Sequence, residues 1–222
     1  MCPYLEGRLE RKLLTEISGS QAQGTYDGLT QAGFRRSHRF AYRPACSHCD
    51  ACVPVRVLVG QFAPGKSLRR ISRANTDLSI QITPARATAE QFELFRHYIE
   101  SRHGDGEMAG MTDREYVSMI ESSDIDTRLA EFRNAEGDLL AVCLLDWLAD
   151  GLSAVYSFFD PNESRRSLGT YVVLWLIEAA KRDRAAHVYL GYWINGSRKM
   201  AYKTRFRPLE GFGATGWQLL AD

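Results

Sequence analysis

The stretch "GDLLAVCLLDWLADGLSAVYSFFDPNESRRSLGTYVVLW", residues 137–175, decides the fold. Two apolar runs meet at Asp150-Gly151, a pair that favours a hairpin turn because both residues tolerate positive φ. With "TRLAEFR" just upstream, the runs predict a three-stranded antiparallel meander. Pro161 and Ser164 then open a helix in which Leu168, Tyr171, Val172, Trp175 and Ala179 recur at helical spacing. "HVYLGYWI" follows as a buried strand. Upstream, "TAEQFELFRHYIESRH" begins with a capping box, Thr88 and Gln91, and continues with the stripe Phe92, Phe95, Ile99. "TDREYVSMIE" repeats the device with Thr112 and Glu115. The expected order is two helices, three antiparallel strands, a helix, a strand and a final helical segment.

That order resembles the GCN5-related acyltransferase (GNAT) fold. The resemblance implies that the helix after the meander aims its N-terminus at an anionic acyl donor. Residues 1–75 read differently. They are rich in Gly, Arg and turn residues, hold one short apolar run, "CVPVRVLV", and close on the polar, basic "APGKSLRRISRAN". The expected fold class is α+β, with a small Cys-bearing α+β domain over 1–75. A GNAT-like domain with an antiparallel-rich mixed sheet is expected over 76–222.

The chain has 222 residues, 45% hydrophobic and 25% charged, which suits one large domain or two small ones. No apolar run approaches the ~18 residues of a membrane span, and "MCPYLEGRLERK" carries charge at once, without a signal core. The expectation is a cytoplasmic protein with reduced cysteines and no membrane partner. A net charge of +1 conceals segregation. Residues 1–75 carry 12 Lys/Arg against 5 Asp/Glu, residues 76–164 carry 6 against 18, and residues 165–222 carry 10 against 4. Such blocks predict basic surfaces for a polyanion beside an acidic, solvated middle. The plainer reading is that the blocks scatter over the folded surface.

Four stretches carry side chains suited to chemistry. In "SRRSLGTY", a helix start with Arg165, Arg166 and Gly169 suits phosphate, because helix N-termini offer unpaired N–H groups and partial positive charge. In "GYWINGSRKMAYKTRFR", basic and aromatic side chains interleave with no acid among them. There Ser197 and Arg198 belong to a turn, and a helix is expected to carry Lys199, Tyr202 and Lys203. "GFRRSHRFAYRP" packs Arg35, Arg36, Arg39 and Arg43 around His38, enough cation to grip a phosphate or carboxylate. Finally, Cys46, Cys49 and Cys52 stand at three-residue steps, a spacing that can wrap one zinc ion or iron–sulfur cluster, with Cys2 as fourth ligand. Cys143, in "LLAVCLLDWL", reads as a small buried apolar residue.

"CPYLEGRLERK", "GFRRSHRFAYRPACSHCDACVPVR", "YSFFDPNESRRSLGTYVV" and "YLGYWINGSRKMAYKTRFRPLE" together resemble the bacterial aspartate/glutamate leucyltransferases, relatives of the arginyl-tRNA–protein transferases. The likeness runs from Cys2 to Trp217. Most members begin with a short extra segment before Cys-Pro-Tyr, so this start reads as trimmed or mis-assigned. The resemblance implies transfer of leucine from Leu-tRNA to the α-amino group of proteins beginning with Asp or Glu, which marks them for N-degron proteolysis. It implies no DNA partner and no cofactor for the chemistry. It also implies a structural zinc or Fe–S at the N-terminal cysteines, although Leu5 stands where the arginyl-transferring relatives carry a second cysteine. On this basis Tyr202, Lys199 and Lys203 are expected at the leaving oxygen. Arg165, Arg166, Gly169, Ser197 and Arg198 are expected at tRNA phosphates. Arg35, Arg36, Arg43 and Arg205 are expected at the acceptor carboxylate, and Tyr156, Phe158 and Trp193 around leucine. The competing readings are an acetyl-CoA-dependent N-acetyltransferase, a non-catalytic metal-clipped RNA-binding protein, and an arginyl-transferring member of the family.

Overall fold

A computed structural model describes residues 1–103 and 107–221. The chain starts with β1 (Lys12–Glu16), α1 (Ala22–Gln31), β2 (Arg35–Ser37) and β3 (Phe40–Pro44), which build a three-stranded sheet in the order β1-β3-β2. Ile17, Ala22, Tyr26, Phe34 and Ala41 form its small core. The apolar run "CVPVRVLV" then supplies β4 (Val53–Leu58), which leaves this unit and enters a second sheet between strands from the far end of the chain.

That sheet also contains β5 (Ser79–Pro84), β6 (Thr127–Arg133), β7 (Leu139–Leu148), β8 (Gly151–Phe159), β9 (His187–Trp193), β10 (Leu209–Gly213) and β11 (Gly216–Leu219). Its order is β11-β10-β4-β9-β8-β7-β6-β5. Every neighbouring pair is antiparallel except β8 and β9. The meander and the hairpin at Asp150-Gly151 are present. On one face lie α2 (Lys66–Arg73) and α5 (Leu168–Arg182). On the other lie α3 (Ala89–His103) and α4 (Asp113–Glu121). Both faces of β7 are therefore covered, which is why its sequence is an unbroken apolar run. Ala141, Cys143 and Leu145 pack toward α5, while Val142 and Leu144 pack toward α3 and α4. Cys143 is fully buried, as the sequence predicts. Both capping boxes form: Thr88 and Gln91 exchange side-chain and backbone hydrogen bonds, as do Thr112 and Glu115.

Two local expectations need correction. The helix expected to open at Pro161 and Ser164 makes only a 3-10 turn at Ser164–Arg166, and α5 starts at Leu168 after Ser167 adopts left-handed φ 54°. The helix expected to carry Lys199, Tyr202 and Lys203 is a 3-10 segment over Ala201–Arg205, preceded by a turn at residues 195–200. The chain leaves it to form β10 and β11, which the sequence reading missed. The basic stretch at residues 63–75 forms α2, anchored by buried Leu68 and Ile71. Among the described residues no helix is long and apolar enough to cross a membrane.

The two sheets are joined by a buried ion pair. Arg36 of β2 donates through Nε and Nη2 to both carboxylate oxygens of Asp146 on β7, at 2.9 and 2.7 Å. Thr127 Oγ1 donates to the same carboxylate. Side-chain exposure is 1% for Arg36 and 0% for Asp146, so neither charge can turn to water. Removing one partner strands the other. Asp146→Ala is accordingly expected to destabilise the protein by about 3–5 kcal/mol, read as a lower urea midpoint. An unchanged midpoint would show that the pair does not hold the sheets together.

Candidate active site

The site is built where β8 and β9 part. Their parallel pairing runs over Gly151–Ser153 against His187–Tyr189. Immediately beyond, the β7–β8 register shifts between Leu144 and Leu145, leaving Val155 as the extra residue. The β4–β9 register shifts between Val55 and Arg56, leaving Leu190 extra. Bulges break ladder pairing and re-aim the strand. Arg35 fills the gap: its Nη2 donates to the carbonyls of Ala154 at 2.6 Å and Val155 at 3.1 Å. Gly191, at φ 79°, makes room for it, since a Cβ there would stand 2.5 Å from Arg35 Nη1. Nη1 is buried without a hydrogen-bond partner. Because alternate residues of a strand face opposite ways, Arg36 and Arg35 reach two different places in the large sheet.

Lys203 lies behind this junction. It is 7% exposed, and its Nζ donates to the Tyr192 carbonyl at 2.5 Å. Burial, with help from the Arg35 charge, pushes its pKa down to about 7. Tyr202, its neighbour, is 38% exposed and so remains reachable from solvent. The protein packed around its phenol pushes the pKa up to about 12 against the pull of Arg35, so the hydroxyl keeps its proton at neutral pH.

Tyr202 and Lys199 line one cavity of about 420 Å³ together with Gly169 and Thr170 at the start of α5, Ser157 and Phe159 of β8, and Tyr98 and Arg102 of α3. The Arg102 guanidinium lies 5.5 Å from the centre of the Phe159 ring, and the Tyr98 and Phe159 rings are 4.9 Å apart. Gly169 has a packing reason to be glycine: a Cβ would come 2.8 Å from the Phe159 ring. The structure thus brings together Lys199, Tyr202 and Gly169, with Lys203 and Arg35 behind them.

Other candidates are placed elsewhere. Arg36 is committed to Asp146. Arg166 is held by Asp77 at 2.8 Å, by Glu163 at 3.0 Å and by the Ala74 carbonyl. Arg165 and Arg198 are exposed, and Ser197 sits in the turn before the 3-10 segment. Arg43 donates to the Ala32 carbonyl and lies over Phe34, and Arg205 donates to Ser67. Phe158 is fully buried among Phe95, Tyr116 and Tyr156, while Trp193 packs against the core on the opposite face. The aromatic wall of the cavity is instead Phe159 and Tyr98. Strand alternation was the available signal: once Phe158 faces the core, Ser157 and Phe159 face the other way.

Cys2, Cys46, Cys49 and Cys52 line a separate cavity of about 50 Å³, between the end of β3 and the start of β4. No disulfide joins them. Burial pushes the Cys52 thiol up to about 11, reinforced by the other three cysteines. A hydrogen bond from the Ala51 backbone, then one from Arg8 to Sγ at 3.0 Å, lowers Cys49. Among the described residues, no three His, Cys, Asp or Glu side chains stand close enough to hold a metal ion as arranged.

Burying an amine has a stability consequence. Because the folded pKa of Lys203 lies near 7 and the unfolded value near 10.5, the unfolded chain binds the extra proton between those values. Stability is penalised at and below pH 7 and recovers as pH rises toward 10.5, a span of roughly 5 kcal/mol. Lys203→Met lacks this term. Its urea-unfolding free energy relative to wild type is expected to be most favourable at pH 7 and to fall steadily toward pH 10. A difference independent of pH would mean that Lys203 is not held as a buried amine.

Sequence comparison places this geometry. Residues 1–70 match the arginine-tRNA-protein transferase N terminus, and residues 90–213 match the arginine-tRNA-protein transferase C terminus. The chain is 56% identical to an aspartate/glutamate leucyltransferase of Paramagnetospirillum magneticum, over 99% of this chain and 90% of that one. It is 54% identical to a protein of the same name from Rhodospirillum rubrum, over 97% and 88%. Among solved structures it is similar to L-PGS from Bacillus licheniformis, with a TM-score of 0.55, 13% identity, and coverage of 72% of this chain and 58% of that one. That likeness supports the acyltransferase fold. The chain belongs to the arginine-tRNA-protein transferase family, and its curated relatives at 48–56% identity are named aspartate/glutamate leucyltransferases.

Proposed function

We propose that this protein is an aminoacyltransferase that moves leucine from Leu-tRNA to the α-amino group of proteins beginning with Asp or Glu, marking them for N-degron proteolysis. One observation carries the reading: Lys199, Tyr202, Gly169 and Arg102, from three distant parts of the chain, line the same cavity beside an aromatic wall. A cavity of this kind suits an aminoacyl ester, which needs an apolar wall, a proton donor at the leaving oxygen and cations for phosphate and carboxylate.

The reaction is ester aminolysis. The attacking α-amine has an ordinary pKa of ~7.7–8.0, so a useful share is neutral near pH 7. Its nitrogen bonds to the leucyl carbonyl, the bond to the ribose oxygen breaks, and tRNA leaves with a free hydroxyl. Tyr202 gives its proton to that oxygen and regains one from the attacking nitrogen. Its raised pKa keeps it protonated until then. Lys199 faces the terminal phosphates. Lys203 anchors the 3-10 segment through the Tyr192 carbonyl and so fixes Tyr202. Phe159 and Tyr98 hold the leucine side chain. The Arg102 guanidinium, exposed at the rim, takes the acceptor carboxylate. Holding amine and ester in register supplies ~7 kcal/mol or more. No cofactor takes part in these steps.

The four N-terminal cysteines have a separate role. A zinc ion or cluster held by Cys2, Cys46, Cys49 and Cys52 would fix the passage of the chain from the small sheet to the large one. The side chains would have to close in from their present spacing to bind it. The shared cavity and the thiol donor set favour this reading. It is structural, because the cysteine cavity and the Tyr202 cavity share no lining residue.

Incubation with labelled Leu-tRNA is expected to label peptides beginning with Asp or Glu and to leave matched peptides beginning with Ala unlabelled. The family's arginyl name makes labelled Arg-tRNA the natural comparison, and it is expected to give little product. Tyr202→Phe should lower kcat about 10²-fold at unchanged melting temperature. Absence of transfer, or transfer from Arg-tRNA alone, would overturn the reading. For the cysteines, Cys49→Ser is expected to lower bound zinc or iron and the melting temperature together. A metal-free wild type that melts with Cys49→Ser would remove the clip.

A further inference from the structure

The basic stretch "GKSLRRISR", residues 65–73, is unused by the chemistry above, yet hydrogen bonds tie it to two segments that contribute to the cavity. It forms α2, whose Leu68 and Ile71 are buried and fix the helix on the core. Lys66, Arg69, Arg70 and Arg73 are all exposed on its outer side. Arg69 donates to the Pro64 carbonyl, but none of the four meets a carboxylate among the described residues. That contrasts with Arg36, Arg56, Arg133 and Arg166, each of which is paired.

Both ends of α2 are tied to cavity-lining segments. At its start, Ser67 accepts a hydrogen bond from Arg205, in the 3-10 segment that carries Tyr202. Just past its end, Asn75 donates to the Arg166 carbonyl, and Arg166 donates to the Ala74 carbonyl, two to three residues before α5 and Gly169. An eight-residue helix is ~12 Å long, so its four exposed cations form a short row on one helical face with no acid among them. Clustered cations without carboxylate partners neutralise phosphates, and A-form RNA presents its backbone and 2′-hydroxyls to a protein more readily than its base edges.

We propose that the outer face of α2 binds the phosphate backbone of the double-stranded acceptor arm of tRNA while the aminoacylated 3′ end enters the cavity. This inference rests on the tRNA-dependent reading above and adds a surface to it. The face contributes affinity without reading sequence. It lets the enzyme distinguish a whole tRNA from a short aminoacyl ester.

The test compares wild type with the quadruple variant Lys66→Gln, Arg69→Gln, Arg70→Gln, Arg73→Gln, using intact Leu-tRNA and the short donor leucyl-adenosine. The variant is expected to raise the KM for Leu-tRNA at least tenfold. It should also flatten the dependence of log KM on log salt by about three units, and leave kcat, the peptide KM and turnover of the short donor near wild type. A wild-type KM and salt slope with Leu-tRNA would overturn the proposal. So would equal losses on both donors, or a rise in the peptide KM alone, which would assign the face to the protein substrate. If wild type transfers leucine from neither donor, the functional reading fails instead. Filter binding of uncharged tRNA then tests α2 alone: a tenfold loss in the variant supports the surface and equal binding removes it.

Discussion

Everything at the site depends on two adjacent arginines that a single short strand turns in opposite directions. Arg36 closes on Asp146 and ties the small sheet to β7. Arg35 enters the parted edge of β8 and β9, satisfies carbonyls that the Val155 bulge withdraws from the ladder, and presses on Gly191. The first interaction holds the N-terminal unit in place. The second makes that unit a part of the site. Its charge reaches Lys203 and Tyr202, which belong to the last quarter of the chain. Burying a guanidinium is costly unless its donors are met. The bulged carbonyls meet Nη2, while Nη1 stays without a partner.

From that junction outward the molecule divides its cations by use. Arg36, Arg56, Arg133 and Arg166 are consumed in ion pairs that fix elements to one another. Lys199 and Arg102 line the cavity. The row on α2 faces solvent. A near-neutral chain can thus present a strongly basic face, because the acids of residues 76–164 are spent elsewhere, several of them on pairing structural arginines. The charge segregation is a matter of placement in space as well as in sequence.

Local signals in the chain were read correctly where the physics is local. The capping boxes at Thr88 and Thr112, the turn at Asp150-Gly151, the apolar stripe of α5 and the burial of Cys143 all depend on neighbours within a turn or a strand. What the chain does not disclose depends on partners far away. Arg166 looks free beside a helix start until Asp77, 89 residues distant, closes on it. "CVPVRVLV" gives no sign that it will pair with β9 and β10, and no local pattern marks β10 and β11 as strands of that sheet. Phe158 and Phe159 are equivalent by composition, and only packing against α3 decides which one faces the cavity. Tyr202 and Lys199, which the basic, aromatic stretch and the family likeness single out, line the cavity, whereas Arg102 and Ser157 carry no signal beyond strand alternation and helix position.

The N-terminal unit and the last quarter of the chain are coupled because the charge of Arg35, seated in the parted sheet, acts on the buried Lys203 amine. NMR titration of the Lys203 side-chain amine, in wild type and in Arg35→Gln, tests it most directly. The expected midpoint is about 7 in wild type, with an upward shift once the Arg35 charge is gone. A midpoint in the ordinary lysine range of ~10.4 in both proteins would contradict it.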